Sequence, residues 1–126
     1  MNFIHTDNAP AAIGPYSQAV SAKNLLFISG QIGLDPKDGS LSNSIEKQTT
    51  QCLANLDQIL FACKLSRKSI IKTTIFLKDI SNFSIVNDIY KNYFGEHKPA
   101  RSTVEVSNLP KSALIEIEAI AVIDES

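Results

Sequence analysis

The chain has 126 residues, 44% of them apolar and 20% charged, which is enough for one hydrophobic core and too apolar for a disordered polypeptide. Twelve basic against thirteen acidic residues leave a net charge of −1, which excludes a general electrostatic pull toward nucleic acid or an anionic membrane surface. The apolar runs are too short and interrupted to span a bilayer, and the first residues, MNFIHTDNAP, lack a secretory pattern, so a cytoplasmic protein with no membrane partner is expected.

In chain order, SQAV at residues 17–20 and NLLFISG at 24–30 are β-prone and separated by a short polar break, which predicts a hairpin ending at Gly30. The Asp-Pro and Asp-Gly pairs of QIGLDPKDG mark a loop. From Asn43 or Ser44 onward, Ile45, Thr49, Cys52, Leu53, Leu56, Ile59, Leu60 and Cys63 recur at helical spacing, with Asn43 and Glu46 as a candidate capping box. Lys64, Arg67 and Lys68 suit the negative pole of that helix. Cys52 and Cys63 lie eleven residues apart on it, roughly 16 Å and too far for a disulfide, so both are expected reduced. IIKTTIFLK at 70–78 is a β-branched strand with Ile71, Thr73, Ile75 and Leu77 on one face and Ile70, Thr74 and Phe76 on the other. SNFSIVNDIYKNYFG is a second helix, with Ser81 as candidate N-cap and Gly95 as terminator. Two final strands follow Pro99 and Pro110, giving the order β, β, α, β, α, β, β in a single unit over residues 1–126.

This order defines an α/β (α+β) fold, a mixed sheet of about five or six strands covered by two helices. Two helices cover only one sheet face while several strands are apolar on both, so a second copy of the chain is the expected cover for the other.

The last two strands, PARSTVEVSNLPKSALIEIEAIAVI, carry charges among Val, Ile and Ala. Arg101, Thr103 and Glu105 share one strand face, and Glu116 and Glu118 share another, with Ile115, Ile117, Ala119 and Ala121 opposite them. Buried charges need partners, so these groups either neutralise one another or await a ligand. An antiparallel pairing of the two strands would bring Arg101 near either glutamate, while the register stays open. His5 and His97, with two helical cysteines, supply no metal-ligand spacing, and no serine-nucleophile elbow occurs, so neither a metal site nor a serine hydrolase is expected and water is the expected nucleophile.

Three stretches together, NAPAAIGPYSQAV, FISGQIGLDPKDG and PARSTVEVSNLPKSALIEIEAIAV, resemble the RidA (YjgF) family over nearly the whole chain. The resemblance implies a homotrimer with a chorismate-mutase-like fold, and hydrolysis of reactive 2-imino acids such as 2-iminobutanoate and 2-iminopropanoate to 2-keto acids and ammonia, with no metal or organic cofactor. Position by position it implies that Arg101 grips the substrate carboxylate and that Glu116 holds or polarises the attacking water. It also implies a backbone contact at Gly30, after Ser29, and pocket walls at Tyr16 and Asn87, in a site between subunits. Thr103 stands where several family members have cysteine, so no role needing a thiol carries over. Glu105 and Glu118 are expected to be structural. A second reading keeps the same pocket for a regulatory or chaperone-like binding module, and the family is also linked to ribonuclease activity; neutral charge and the lack of an aromatic-studded basic groove weigh against RNA.

Overall fold

The computed structural model describes residues 1–123. Its strands are β1 (Asn2–Ile4), β2 (Ala19–Ala22), β3 (Leu25–Gln31), β4 (Ile70–Leu77), β5 (Ala100–Glu105) and β6 (Ile115–Val122), and its helices α1 (Ile45–Ala62) and α2 (Phe83–Phe94). They form one six-stranded mixed sheet in the order β1-β2-β3-β6-β4-β5, antiparallel except for the parallel β4–β5 pair that α2 connects. The predicted hairpin is β2–β3, turned by Lys23 and Asn24, with Lys23 at φ 55°. Beyond the sequence reading, the first residues add β1 along β2.

Both helices pack on one sheet face. There Leu26, Ile28, Ile75, Leu77, Ile115 and Ile117 join Leu53, Leu56, Ile59 and Val86 in the core. The helical periodicity of α1 is realised, with Cys52 buried and Cys63 half-buried, both free thiols. β6 sits at the centre because its alternating Ile and Ala residues bury fully on the helix side, small enough at Ala119 and Ala121 to pack closely under the helices.

Several local expectations are corrected. Ser44, not Asn43, caps α1: its hydroxyl accepts from the Lys47 N–H and donates to Glu46. α1 ends at Ala62 with no basic residue in its last turn. Arg67 instead reaches Asp57 at 2.7 Å, donates to the Tyr93 carbonyl at 2.7 Å and lies 4.0 Å above the Tyr93 ring, pinning α1 to α2. Ser81 falls inside a short 3₁₀ turn capped by Asp79, and α2 starts after Asn82 without a side-chain cap. Gly95 terminates α2 with φ 63°, a conformation that suits glycine. In β4 an irregularity in the pairing between Ile70 and Lys72 turns Ile70 into the core with Thr73, Ile75 and Leu77 and leaves Ile71 outside, the reverse of strict alternation.

The largest correction concerns the charged strands. β5 and β6 are not neighbours, because β4 runs between them, and their antiparallel pairing does not form. Long-range strand order is set by which strand best fills the centre of the sheet, and that is invisible in local patterns.

Candidate active site

Arg101 stands at the start of β5, opposite Thr73, and its side chain turns toward α2. There it donates to Asn87 Oδ1 at 2.8 Å, and its guanidinium lies 4.8 Å from the Tyr90 ring and 5.4 Å from that of Phe83. Asn87 and Tyr90 are three residues apart on one helical face, so α2 presents both to the arginine. Tyr90 is itself tied to β4 by a 2.7 Å hydrogen bond between its hydroxyl and that of Thr73. Arg101 is exposed and, among the described residues, pairs with no carboxylate. Its planar fork is therefore aimed and open, which fits a ligand carboxylate. A cleft of about 380 Å³ between α2 and the start of β5 contains both Asn87 and Arg101.

Glu116 belongs to a different place. It lies opposite Phe76 on β6 and leaves the sheet on the face away from the helices, since its neighbours Ile115 and Ile117 fill the core. A second cleft of about 240 Å³ holds Glu116 together with Gly30, Tyr16, Ile13, Ile32 and Lys111. Contact between Glu116 and Gly30 is close: a Cβ on Gly30 would sit 2.1 Å from Glu116 Oε2, so only glycine leaves room for the carboxylate. Burial, and secondarily the charge of Glu118, hold the Glu116 carboxyl above its usual range. A carboxyl tuned upward is better matched to proton transfer near neutral pH than an ordinary one.

Two of the sequence candidates do not line either cleft. Ser29 donates its hydroxyl to the Ser17 carbonyl at 2.6 Å and its N–H to Gln18, tying the loop that carries Tyr16 onto β3. Thr103 buries its hydroxyl without a hydrogen-bond partner, alone in this among the described side chains. Glu105 accepts from the Ile80 N–H at 2.8 Å at the turn before α2, and Glu118 is exposed opposite Thr74. The sequence reading missed Gln18. It is buried, accepts from the Thr6 N–H and donates to the Thr6 and Pro10 carbonyls, and so shapes the loop that walls the Glu116 cleft. A glutamine beside the apolar Ala19 and Val20 was its signal. Lys111, at φ 56° in the turn before β6, was also missed.

The predicted residues thus form two half-sites on opposite faces. Arg101 lies opposite Thr73, which lies opposite Ala119, so Glu116 is two strands across and three residues along. At ordinary strand spacings that is roughly 10 Å in each direction, through the sheet.

A six-stranded mixed sheet with both helices on one face and, at its edge, an exposed arginine without a carboxylate partner among the described residues places the chain in a class of small α+β proteins. The model of the family described as Endoribonuclease L-PSP matches residues 6–123, and the chain belongs to that family. The RidA resemblance of its three motifs holds. It is 56% identical to a RutC family protein of Pyrococcus horikoshii over 94% of each chain. It is 49% identical to the 2-iminobutanoate/2-iminopropanoate deaminase of Salmonella typhimurium, over 94% of this chain and 95% of that one. With the Homo sapiens protein of the same name the identity is 48%, over 94% and 88%. Among solved structures, a putative endoribonuclease of Thermotoga maritima superposes with a TM-score of 0.95 at 50% identity, covering 98% of both chains. TdcF of E. coli, solved with bound serine, gives 0.94 at 42% identity, over 98% of this chain and all of that one.

Proposed function

We infer that this chain is a deaminase that hydrolyses reactive 2-imino acids, such as 2-iminobutanoate and 2-iminopropanoate, to 2-keto acids and ammonia. The observation that carries this reading is the near-half identity, over nearly the full length, to relatives named for that reaction. The arginine free to take a carboxylate supports it independently.

In the proposed mechanism Arg101, braced by Asn87, fixes the substrate carboxylate. Glu116, held against Gly30 with a raised proton affinity, accepts a proton from water as its oxygen bonds to the imine carbon. Glu116 returns that proton to the carbinolamine nitrogen, and as the C–N bond breaks to release ammonia the hydroxyl gives up its own proton and becomes the keto group. Placement and oriented charge lower the barrier of a reaction that protonated imines already undergo in water. Tyr16 closes one wall of the Glu116 cleft.

A 2-imino acid carries its carboxylate and imine carbon on adjacent atoms, so one chain cannot hold both ends across its own sheet. The site is therefore proposed to form between copies of the chain, Arg101 from one subunit meeting Glu116 of the next. The uncovered outer sheet face supports such an assembly, with Phe27 45% and Val104 43% exposed. A closed homotrimer is the form the resemblance suggests, and one-domain subunits working in the cytoplasm are the form expected from the chain's length and residue pattern. No helix of the described residues is long and apolar enough to cross a membrane.

The test is an assay in which a dehydratase generates the imine and keto-acid release is followed. This protein is expected to accelerate release, and Arg101→Ala to abolish the acceleration and weaken 2-oxobutanoate binding. A protein that binds 2-oxobutanoate without accelerating release would be a binding module instead.

A further inference from the structure

The cleft beside Arg101 is larger and more cationic than a small monocarboxylate requires. Its lining brings Lys91 and Lys98 to the same space as Arg101 and includes no carboxylate, in a chain whose net charge is −1. Asp88 and Glu96 lie on the same segments, both exposed, and neither lines the cleft. Lys91 follows Asn87 by one helical turn, and Lys98 comes from the return segment after Gly95, so α2 and that segment converge their charges from two sides. Between them the Tyr90 and Phe94 rings, 4.7 Å apart, give an apolar wall. Lys91 also suits the negative end of α2, but Lys98, outside the helix, has no such account.

We propose that this cleft is a second-anion subsite, and that the substrates of the deaminase include 2-imino acids with a carboxylate at the far end of the side chain. The inference rests on the deaminase reading, with Arg101 taking the first carboxylate. The methylenes of such a substrate lie along the aromatic wall, and its second carboxylate meets Lys91 and Lys98. Acidic amino acids are the parents of imino acids with this pair of charges, so the enzymes that must supply such a substrate are oxidases or dehydrogenases, which take two electrons and the Cα hydrogen from them.

The probes are two 2-keto acids of equal chain length, 2-oxoglutarate and 2-oxopentanoate, which differ in the terminal carboxylate. Their binding to the native assembly is measured by calorimetry, and their competition by inhibition of 2-iminobutanoate hydrolysis. Two exposed lysines acting together on one carboxylate should favour 2-oxoglutarate about tenfold at low salt. In the Lys91→Gln/Lys98→Gln double variant, checked for an unchanged melting temperature, that preference is expected to fall to within about twofold. Equal binding of the two acids by the native protein overturns the proposal, as does a preference that survives in the double variant. Calorimetry needs no turnover, so absent hydrolysis would count against the deaminase reading alone.

Discussion

Glu116 sits half-buried beside Gly30, faces the charge of Glu118 and forms no ion pair among the described residues. Burial and the like charge both favour its protonated form, so its titration lies above the ordinary glutamate value. A base must be ionised to accept a proton. Hence kcat/KM should fall on acidification through this raised value, and Glu118→Gln, by removing one of the two causes, should move that acid limb to lower pH. Glu116→Gln should erase the limb and lower kcat by about 10²-fold, toward the small end for a positioned base. A pH profile that Glu118→Gln leaves in place would contradict this. Gly30→Ala tests the same carboxylate from the other side. The new methyl would fall 2.1 Å from Glu116 Oε2 and push the carboxylate aside, and a loss of about 10²-fold in kcat, with keto-acid binding at Arg101 nearly kept, is expected from steady-state kinetics and calorimetry.

At the scale of elements, what holds the arginine in place is the seating of α2. The helix is bound to β4 through Tyr90 and Thr73 and to α1 through the cluster in which Tyr93 donates to Asp57 at 2.6 Å and Arg67 bridges both. Arg67→Ala would leave the largely buried Asp57 carboxylate without its cation and the Tyr93 carbonyl without a donor. A loss of about 1–3 kcal/mol in urea unfolding is expected, with deamination at 25 °C largely retained. An unchanged unfolding midpoint would remove Arg67 from this role. The cluster also marks where reading the sequence stops. The periodicity of α1, the β-branched run of β4 and the glycine ending α2 are local signals and predict their elements directly. Arg67 meets Asp57 and Tyr93 only once the helices have packed, so its sequence position suggested no more than a helix-end charge. Ile70 defeats alternation for a similar reason, since the irregularity that turns it inward is set by pairing with β6. The motifs identified Arg101, Glu116, Gly30, Tyr16 and Asn87 as site candidates. That they divide between two faces depended on β4 running between β5 and β6, which no local pattern records.

At the scale of the whole molecule, one subunit holds Arg101 and Glu116 on opposite faces and an uncovered apolar sheet face, and the proposed association with further copies would meet both deficiencies. The apolar outer face would supply the affinity and the ends of the sheet the chemistry. The central claim is that Arg101 and Glu116 of different subunits share one substrate, and it is tested most directly by mixing two inactive variants. Arg101→Ala subunits keep the glutamate and Glu116→Gln subunits keep the arginine. If the two are unfolded together in equal amounts and refolded, a site regains both groups whenever an arginine-bearing subunit adjoins a glutamate-bearing one, which random assembly gives in about a quarter of sites. The account predicts imine hydrolysis recovering to about a quarter of the native rate; activity no higher than that of the two variants refolded separately would contradict it.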